Sequence, residues 1–213
     1  MEYTLENENL EVKIFTFGAE IQSVRNKITN KNYLWNGDKE FWGRKSPILF
    51  PFVGSLKNKE YEFEGKKYLM GQHGFARDME FEFLSKTENI IWFQLKYNEE
   101  TLSKYPFKFL LKVGYELDKN NLKVMWNVEN LDNKTMYFSI GAHPAFLVLF
   151  EEDANRDDYY IKFNTNKNLI NTGLEKGLAN RNNLNNGIIK LDDNGYLRID
   201  KELFKYDALI IEN

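Results

Sequence analysis

The chain contains no cysteine, four prolines and two histidines among its 213 residues. Without cysteine it can form neither disulfides nor thiolate metal sites, and this composition fits a reducing compartment. No apolar run approaches the ~20 residues that a membrane-spanning helix needs. The first residues, MEYTLENENL, have neither the basic start nor the apolar stretch of a signal peptide. We therefore predict a soluble, cytoplasmic protein.

An excess of charge of either sign is also missing, since the net charge is −3 and the sequence pI is about 5.6. The basic residues are scattered among acidic ones, which gives no reason to expect a nucleic-acid or membrane partner. The apolar share of 42% includes 17 phenylalanines and 12 tyrosines, enough for a packed core. The length and composition predict a single domain over residues 1–213.

Short runs of alternating apolar and polar residues dominate the chain, as is typical of half-buried strands. Helix signals are few: we predict short helices at 98–105 and at 200–206, the second capped by Asp200. Polar loops are predicted at 151–158 and 164–186. Many short strands with little helix predict an all-β protein, a sandwich or a barrel. Single strands are predicted at 11–17, 79–86, 89–98, 135–142, 159–164, 187–193 and 208–212. Two more strands flank the turn at Glu64-Gly65 within residues 60–70, and another two flank the turn at 118–121 within residues 107–133.

The two histidines stand in similar surroundings, GQHGFARD at 71–78 and SIGAHPAF at 139–146. Gly71 and Gly74 around His73 allow another backbone or a ligand to approach closely. His143 follows small residues at a predicted strand end, and Pro144 fixes the chain after it. Each histidine alone is compatible with a surface turn, but the pair at strand ends of an aromatic-rich domain indicates a site.

Two arginines accompany these segments. Arg44 lies in FWGRKSPILFPFVGSL, residues 41–56, where two prolines force a bend in an apolar run. Arg77 follows His73 in the same short loop. At a cleft Arg44 can bind sugar hydroxyls or a phosphate, although its chemistry alone favours a rim arginine paired with an acidic neighbour.

Aromatic side chains near these motifs are compatible both with core packing and with a sugar-binding face. Near the end of the sequence, Asp207 precedes an apolar run, where a carboxylate can bind vicinal hydroxyls but more often caps a turn. Glu212 is the penultimate residue, and we expect it to be mobile. The aromatic residues in question are Trp35, Phe41, Trp42, Phe75 and Phe146.

Five ordered motifs resemble the aldose 1-epimerase family, in particular its LacX-type, galactose mutarotase-like branch. They are GAEIQSV (18–24), FWGRKSPILFPFVG (41–54), GQHGFARDMEF (71–81), SIGAHPAF (139–146) and KYDALIIEN (205–213). The resemblance implies a large antiparallel β-sandwich and the interconversion of α and β anomers of a free aldose such as galactose or glucose. It also implies that neither a cofactor nor a metal is needed.

The resemblance assigns roles to five residues. It makes protonated His143 the acid that donates a proton to the ring oxygen, and it makes His73 a residue that binds sugar hydroxyls. It places Arg44 and Arg77 at the sugar or hexose-phosphate site, and Asp207 at the sugar hydroxyls.

Family members usually carry a catalytic glutamate in an EP-containing motif near their end, and no such motif occurs before Asn213. We therefore expect a C-terminally incomplete sandwich, with impaired catalysis and an unpaired sheet edge that allows a homodimer. A catalytically weak carbohydrate- or sugar-phosphate-binding domain is the alternative reading.

Overall fold

The computed structural model divides the chain into two compact units, Met1–Leu147 and Val148–Asn213. The single domain over residues 1–213 stays a prediction. No helix within the described part is long and apolar enough to cross a membrane. The residues that the structure describes are 1–148, 155–175, 177–180, 187–205 and 207–211.

The first unit consists mainly of antiparallel strands with one short α-helix. Its strands are β1 (Glu2–Glu6), β2 (Leu10–Phe15), β3 (Ile21–Asn26), β4 (Ile48–Leu49), β5 (Glu60–Phe63), β6 (Lys66–Leu69), β7 (Glu82–Lys86), β8 (Ile90–Lys96), β9 (Phe109–Asp118), β10 (Asn121–Asn130) and β11 (Gly141–Ala142). Helix α1 spans Glu99–Lys104, and 3₁₀ turns occupy Lys57–Lys59 and Ala76–Asp78. The all-β prediction is confirmed.

Two antiparallel sheets, β1-β2-β3 and β10-β9-β8-β7, share the core of this unit. Alternate residues of β9, from Phe109 to Leu117, are buried, as the period of two in a half-buried strand requires. Val12 and Ile14 of β2 enter the same core. Burial of each such side chain contributes about 1.5–3 kcal/mol relative to exposure.

Local turn and capping interactions account for two elements that the sequence predicts correctly, the β5–β6 hairpin and helix α1. Glu64 and Gly65 both have positive φ, as the two-residue turn between β5 and β6 requires, and the predicted hairpin is confirmed. The predicted short helix is confirmed as α1. Its capping box pairs the Asn98 side chain with the N–H of Thr101, while the Thr101 hydroxyl accepts from the N–H of Asn98.

Three predictions of local structure are wrong. Residues 135–140 form no strand, because their backbone follows irregular contacts such as Ser139 N–H to Pro51 O at 2.8 Å, and only β11 is regular there. The region 201–205 forms turns rather than a helix, since the Asp200 carboxylate accepts N–H bonds from Glu202 and Leu203 in a local turn. The predicted loop 164–186 contains two strands of the second unit.

The second unit is built from short strands around a small core of Leu169, Ile189 and Leu197. Its longest strand pairs with three others, which gives a compact sheet. A 3₁₀ turn lies at Arg156–Asp158. The strands are β12 (Tyr160–Lys162), β13 (Leu169–Glu175), β14 (Leu178–Asn180), β15 (Ile188–Ile189), β16 (Tyr196–Arg198) and β17 (Ile210–Ile211).

Candidate active site

The segment 47–54 is the scaffold on which both histidine motifs meet. On one side β4 pairs with β11, and the pairing continues as the His143 N–H donates to Pro47 O at 3.0 Å. On the other side Phe50 forms a parallel bridge with Gly74. The prolines in this segment have no N–H to donate, but their carbonyl groups still accept hydrogen bonds. One irregular segment therefore positions two motifs that lie seventy residues apart in the sequence.

Gly74 makes the approach of the His73 loop possible. Its φ is +72°, and an added Cβ would lie 2.2 Å from the carbonyl oxygen of Phe50. The N–H groups of Phe75 and Ala76 both donate to that same oxygen, at 3.0 and 3.1 Å. Only glycine fits this contact, because any side chain would push the loop away from segment 47–54.

The two imidazoles lie side by side, with 5.9 Å between the ring centroids of His73 and His143. His73 is tied twice to Gly54: its N–H donates to Gly54 O at 2.8 Å, and its Nδ1 accepts the Gly54 N–H at 3.0 Å. Since Nδ1 is an acceptor, the neutral ring carries its proton on Nε2. The ring of His73 can therefore donate one hydrogen bond from Nε2 to a ligand hydroxyl.

The surroundings of both rings favour the neutral form. The pKa of His73 is lowered from 6.5 by burial, by the Arg77 charge and by His143, and the pKa of His143 is lowered by burial and by Arg77. At pH 7 the neutral form of His143 is therefore favoured over the protonated form. The protonated acid that the family resemblance implies is the minor form of this residue.

Trp42 packs against His143, with 4.9 Å between ring centroids and an interplanar angle of 59°. The backbone of Trp42 is in turn fixed by the Trp35 indole, whose Nε1–H donates to the Trp42 carbonyl at 2.8 Å. The other aromatic candidates differ: Phe75 is 6% exposed and belongs to the core, whereas Phe41 and Phe146 are exposed. Trp42 is thus the aromatic side chain in direct contact with a predicted site histidine.

Arg44 and Arg77 meet at the carboxylate of Asp78. Arg44 Nη2 forms an ion pair with Asp78 Oδ1, and Arg44 Nη1 donates to Arg77 O at 3.2 Å. Arg77 Nη2 donates to Gln72 O at 2.9 Å, beside His73. The structure therefore brings both predicted arginines together, and it shows the acidic neighbour that the sequence left open for Arg44.

Glu20 is a second acidic residue that the sequence did not single out. It is 6% exposed, and its Oε1 accepts the N–H groups of Lys45 and Ser46 at 2.7 and 2.9 Å. The next peptide unit belongs to Pro47, whose carbonyl holds His143. Glu20 therefore fixes the backbone that carries Arg44 and receives the His143 segment.

Asp207 belongs to the second unit. Its φ is +80°, and its Oδ1 accepts the N–H of Ala208 at 2.8 Å, so the carboxylate stabilises its own turn. Its role toward a sugar stays a prediction, as do the roles of the histidines and arginines. Glu212 lies outside the described residues.

The family model of aldose 1-epimerase matches residues 1–193. The chain belongs to the aldose 1-epimerase family. It is 34% identical over 220 residues to chromosomal protein LacX of Lactococcus lactis subsp. lactis, covering 100% of this chain and 72% of that protein. The resemblance that the sequence motifs indicate is thereby confirmed, including its LacX-type branch.

Two solved structures of similar proteins agree with this aldose 1-epimerase assignment. A galactose mutarotase related enzyme from Lactobacillus acidophilus is 40% identical, with a TM-score of 0.93 over 100% of this chain and 70% of that one. A galactose mutarotase-like protein from Lactobacillus casei ATCC 334 is 36% identical, with a TM-score of 0.89 over 100% of this chain and 72% of that one. The galactose mutarotase-like β-sandwich architecture is therefore shown, and an epimerase- or mutarotase-like function with a carbohydrate ligand is supported.

Proposed function

We propose that this chain interconverts the α and β anomers of an aldose such as galactose or glucose. The observation that carries the proposal is the His73–His143 pair, whose ring centroids lie 5.9 Å apart on a scaffold shared by both motifs. A single pyranose ring can contact two imidazoles at this separation. Membership of the aldose 1-epimerase family supports the reaction class.

In this proposal His143 donates a proton to the ring oxygen O5. A water molecule takes the proton of the O1 hydroxyl, the C1–O5 bond breaks, and O5 accepts a proton from His143 as the ring opens. Rotation about C1–C2 and closure with the reverse transfers then give the other anomer. A correctly placed general acid typically accelerates such a step by about 10²–10⁴-fold.

The other predicted residues orient the sugar. His73 donates its Nε2–H to a hydroxyl, since its Nδ1 is occupied by the Gly54 N–H. Trp42 restricts the ring of His143 and offers an apolar face to the sugar C–H groups. Arg44 and Arg77 complete the proposed set of binding residues within the first unit.

A second candidate is a carbohydrate-binding protein with little catalysis. The lowered pKa of His143 favours it, because a neutral imidazole at pH 7 binds hydroxyls but has no extra proton to give. The two candidates predict opposite dependence on pH. General acid catalysis by His143 should grow as the pH falls below 6.5, whereas hydrogen bonding that requires the neutral ring should weaken.

Polarimetry on freshly dissolved α-D-glucose and α-D-galactose tests the first candidate. The rate above the spontaneous reaction should increase between pH 7.5 and 5.5 and should be lost in His143→Asn. The exposed Glu88→Gln serves as a matched control and should keep the wild-type rate. An acceleration that His143→Asn retains would contradict the mechanism.

Tryptophan fluorescence distinguishes the second candidate, because Trp42 contacts His143. Saturable quenching by galactose or glucose without anomeric acceleration at any pH would favour sugar binding alone. Absence of both acceleration and binding would refute both candidates.

A further inference from the structure

Asp78 lies between two guanidinium groups. Its Oδ1 forms the ion pair with Arg44 Nη2, and its Oδ2 is 3.7 Å from Arg77 Nε. The Asp78 side chain is 49% exposed, whereas those of Arg44 and Arg77 are 27% and 18% exposed. One accessible carboxylate therefore faces two largely covered cations.

Arg77 retains a donor that this carboxylate does not satisfy. Its Nε is buried and makes no hydrogen bond among the described residues, and 3.7 Å is too long for one. Burial and the nearby Arg44 charge lower the pKa of Arg77, while Asp78 and Glu20 act in the opposite direction. The Asp78 carboxylate therefore neutralises part of the charge of the two arginines but leaves the Arg77 Nε–H without an acceptor in the described part of the chain, and a bound anion would supply one.

The arginine pair also acts on the candidate active site. Arg77 bonds to Gln72, the neighbour of His73 in the chain, and its charge contributes to the lowered pKa of both histidines. An anionic group bound at the arginines would thus lie within electrostatic reach of both imidazoles.

We propose that Asp78 determines the charge selectivity of the site. Its carboxylate occupies the position at Arg44 and Arg77 that an anionic substituent of a sugar would take, so uncharged aldoses bind in preference to sugar phosphates. This rests on the proposed function in one respect, namely that the ligand is a sugar. Neutralising Asp78 removes the carboxylate that Arg44 and Arg77 share and opens the site to oxyanions.

Isothermal titration calorimetry at low ionic strength tests the proposal with three probes: glucose, glucose 6-phosphate and inorganic phosphate. Asp78→Asn should bind both phosphate-containing probes at least about tenfold more tightly than the wild type, a gain typical of charge-assisted hydrogen bonds. Glucose affinity should change less than about twofold. Asp78→Glu, which restores the carboxylate, should keep the wild-type preference.

Glu80→Gln is the matched control, since it removes an exposed negative charge two positions away without touching either arginine. An equal gain in that variant would assign the effect to net charge and overturn the proposal. An equal gain for glucose and glucose 6-phosphate in Asp78→Asn would also overturn it. If Asp78→Asn fails to fold, Asp78→Ser provides the same comparison.

The two proposals fail in distinguishable ways. A gain in phosphate affinity in a protein that shows no anomeric acceleration would sink the proposed reaction and leave charge selectivity standing. Anomeric acceleration in a protein whose preference Asp78→Asn does not change would overturn the selectivity proposal alone.

Discussion

Replacing Glu20 by alanine should destabilise the first unit by about 3 kcal/mol. The carboxylate accepts two backbone N–H groups, those of Lys45 at 2.7 Å and Ser46 at 2.9 Å. A buried donor without a partner costs about 1–3 kcal/mol, here about 2 kcal/mol for the buried Ser46 N–H and about 1 kcal/mol for the half-buried Lys45 N–H. Glu20→Gln keeps an acceptor oxygen and should lose only the charge assistance, about 1 kcal/mol.

Urea unfolding followed by tryptophan fluorescence measures this difference, because all four tryptophans lie within the first unit. With a slope of about 2 kcal/mol per molar urea, the midpoint should fall by about 1.5 M in Glu20→Ala and about 0.5 M in Glu20→Gln. The exposed Glu88→Ala should change the free energy of unfolding by less than about 0.5 kcal/mol. A wild-type midpoint in Glu20→Ala would refute the reasoning.

Three further outcomes are expected. Gly74→Ala should lower the free energy of unfolding by about 3 kcal/mol or more, because the added Cβ would clash with backbone atoms. Gly65 also has a positive φ but lies in open space, so Gly65→Ala should lower it by about 1 kcal/mol. Equal losses on urea unfolding would be inconsistent with the clash. NMR titration of the imidazole C2–H signals should give midpoints below pH 6.5 for both His73 and His143. The two histidines then contribute their full stability above pH 6.5, and this contribution declines as the pH falls below that value. A midpoint at or above pH 6.5 argues against the burial described. Tyr115→Phe should cost about 1–2 kcal/mol by removing a buried hydrogen bond, and an unchanged urea midpoint would show that the bond adds no stability.

Much of the first unit could be predicted because its signals are local. The alternation in β9, the positive-φ turn at Glu64-Gly65 and the cap at Asn98 are each written within a few residues. The segment 135–140 was predicted wrongly because its apolar residues follow contacts to other loops rather than a ladder partner. In 169–175, frequent asparagine and threonine concealed a buried strand.

The candidate site shows the same division. His73 and His143 could be found because glycine and proline surround them, and Arg44 and Arg77 because they adjoin the same bends. The pairing of Arg44 with Asp78 spans 34 positions and depends on how two loops meet, which no spacing rule predicts. The adjacency of Asp78 to Arg77 was the one signal present in the sequence.

The two hydrogen bonds between His73 and Gly54 fix the shape of the loop, whereas the Nε2–H of His73 takes no part in them. An asparagine tolerates the same backbone region, φ +67°, and its side-chain oxygen can take the place of Nδ1 as acceptor for the Gly54 N–H. Such a substitution would keep the loop bonded to Gly54 while removing the Nε2–H donor. At this position a lineage can lose the hydroxyl donor of the proposed site in a single step and retain an intact scaffold, so that its descendants persist as folded proteins open to other uses.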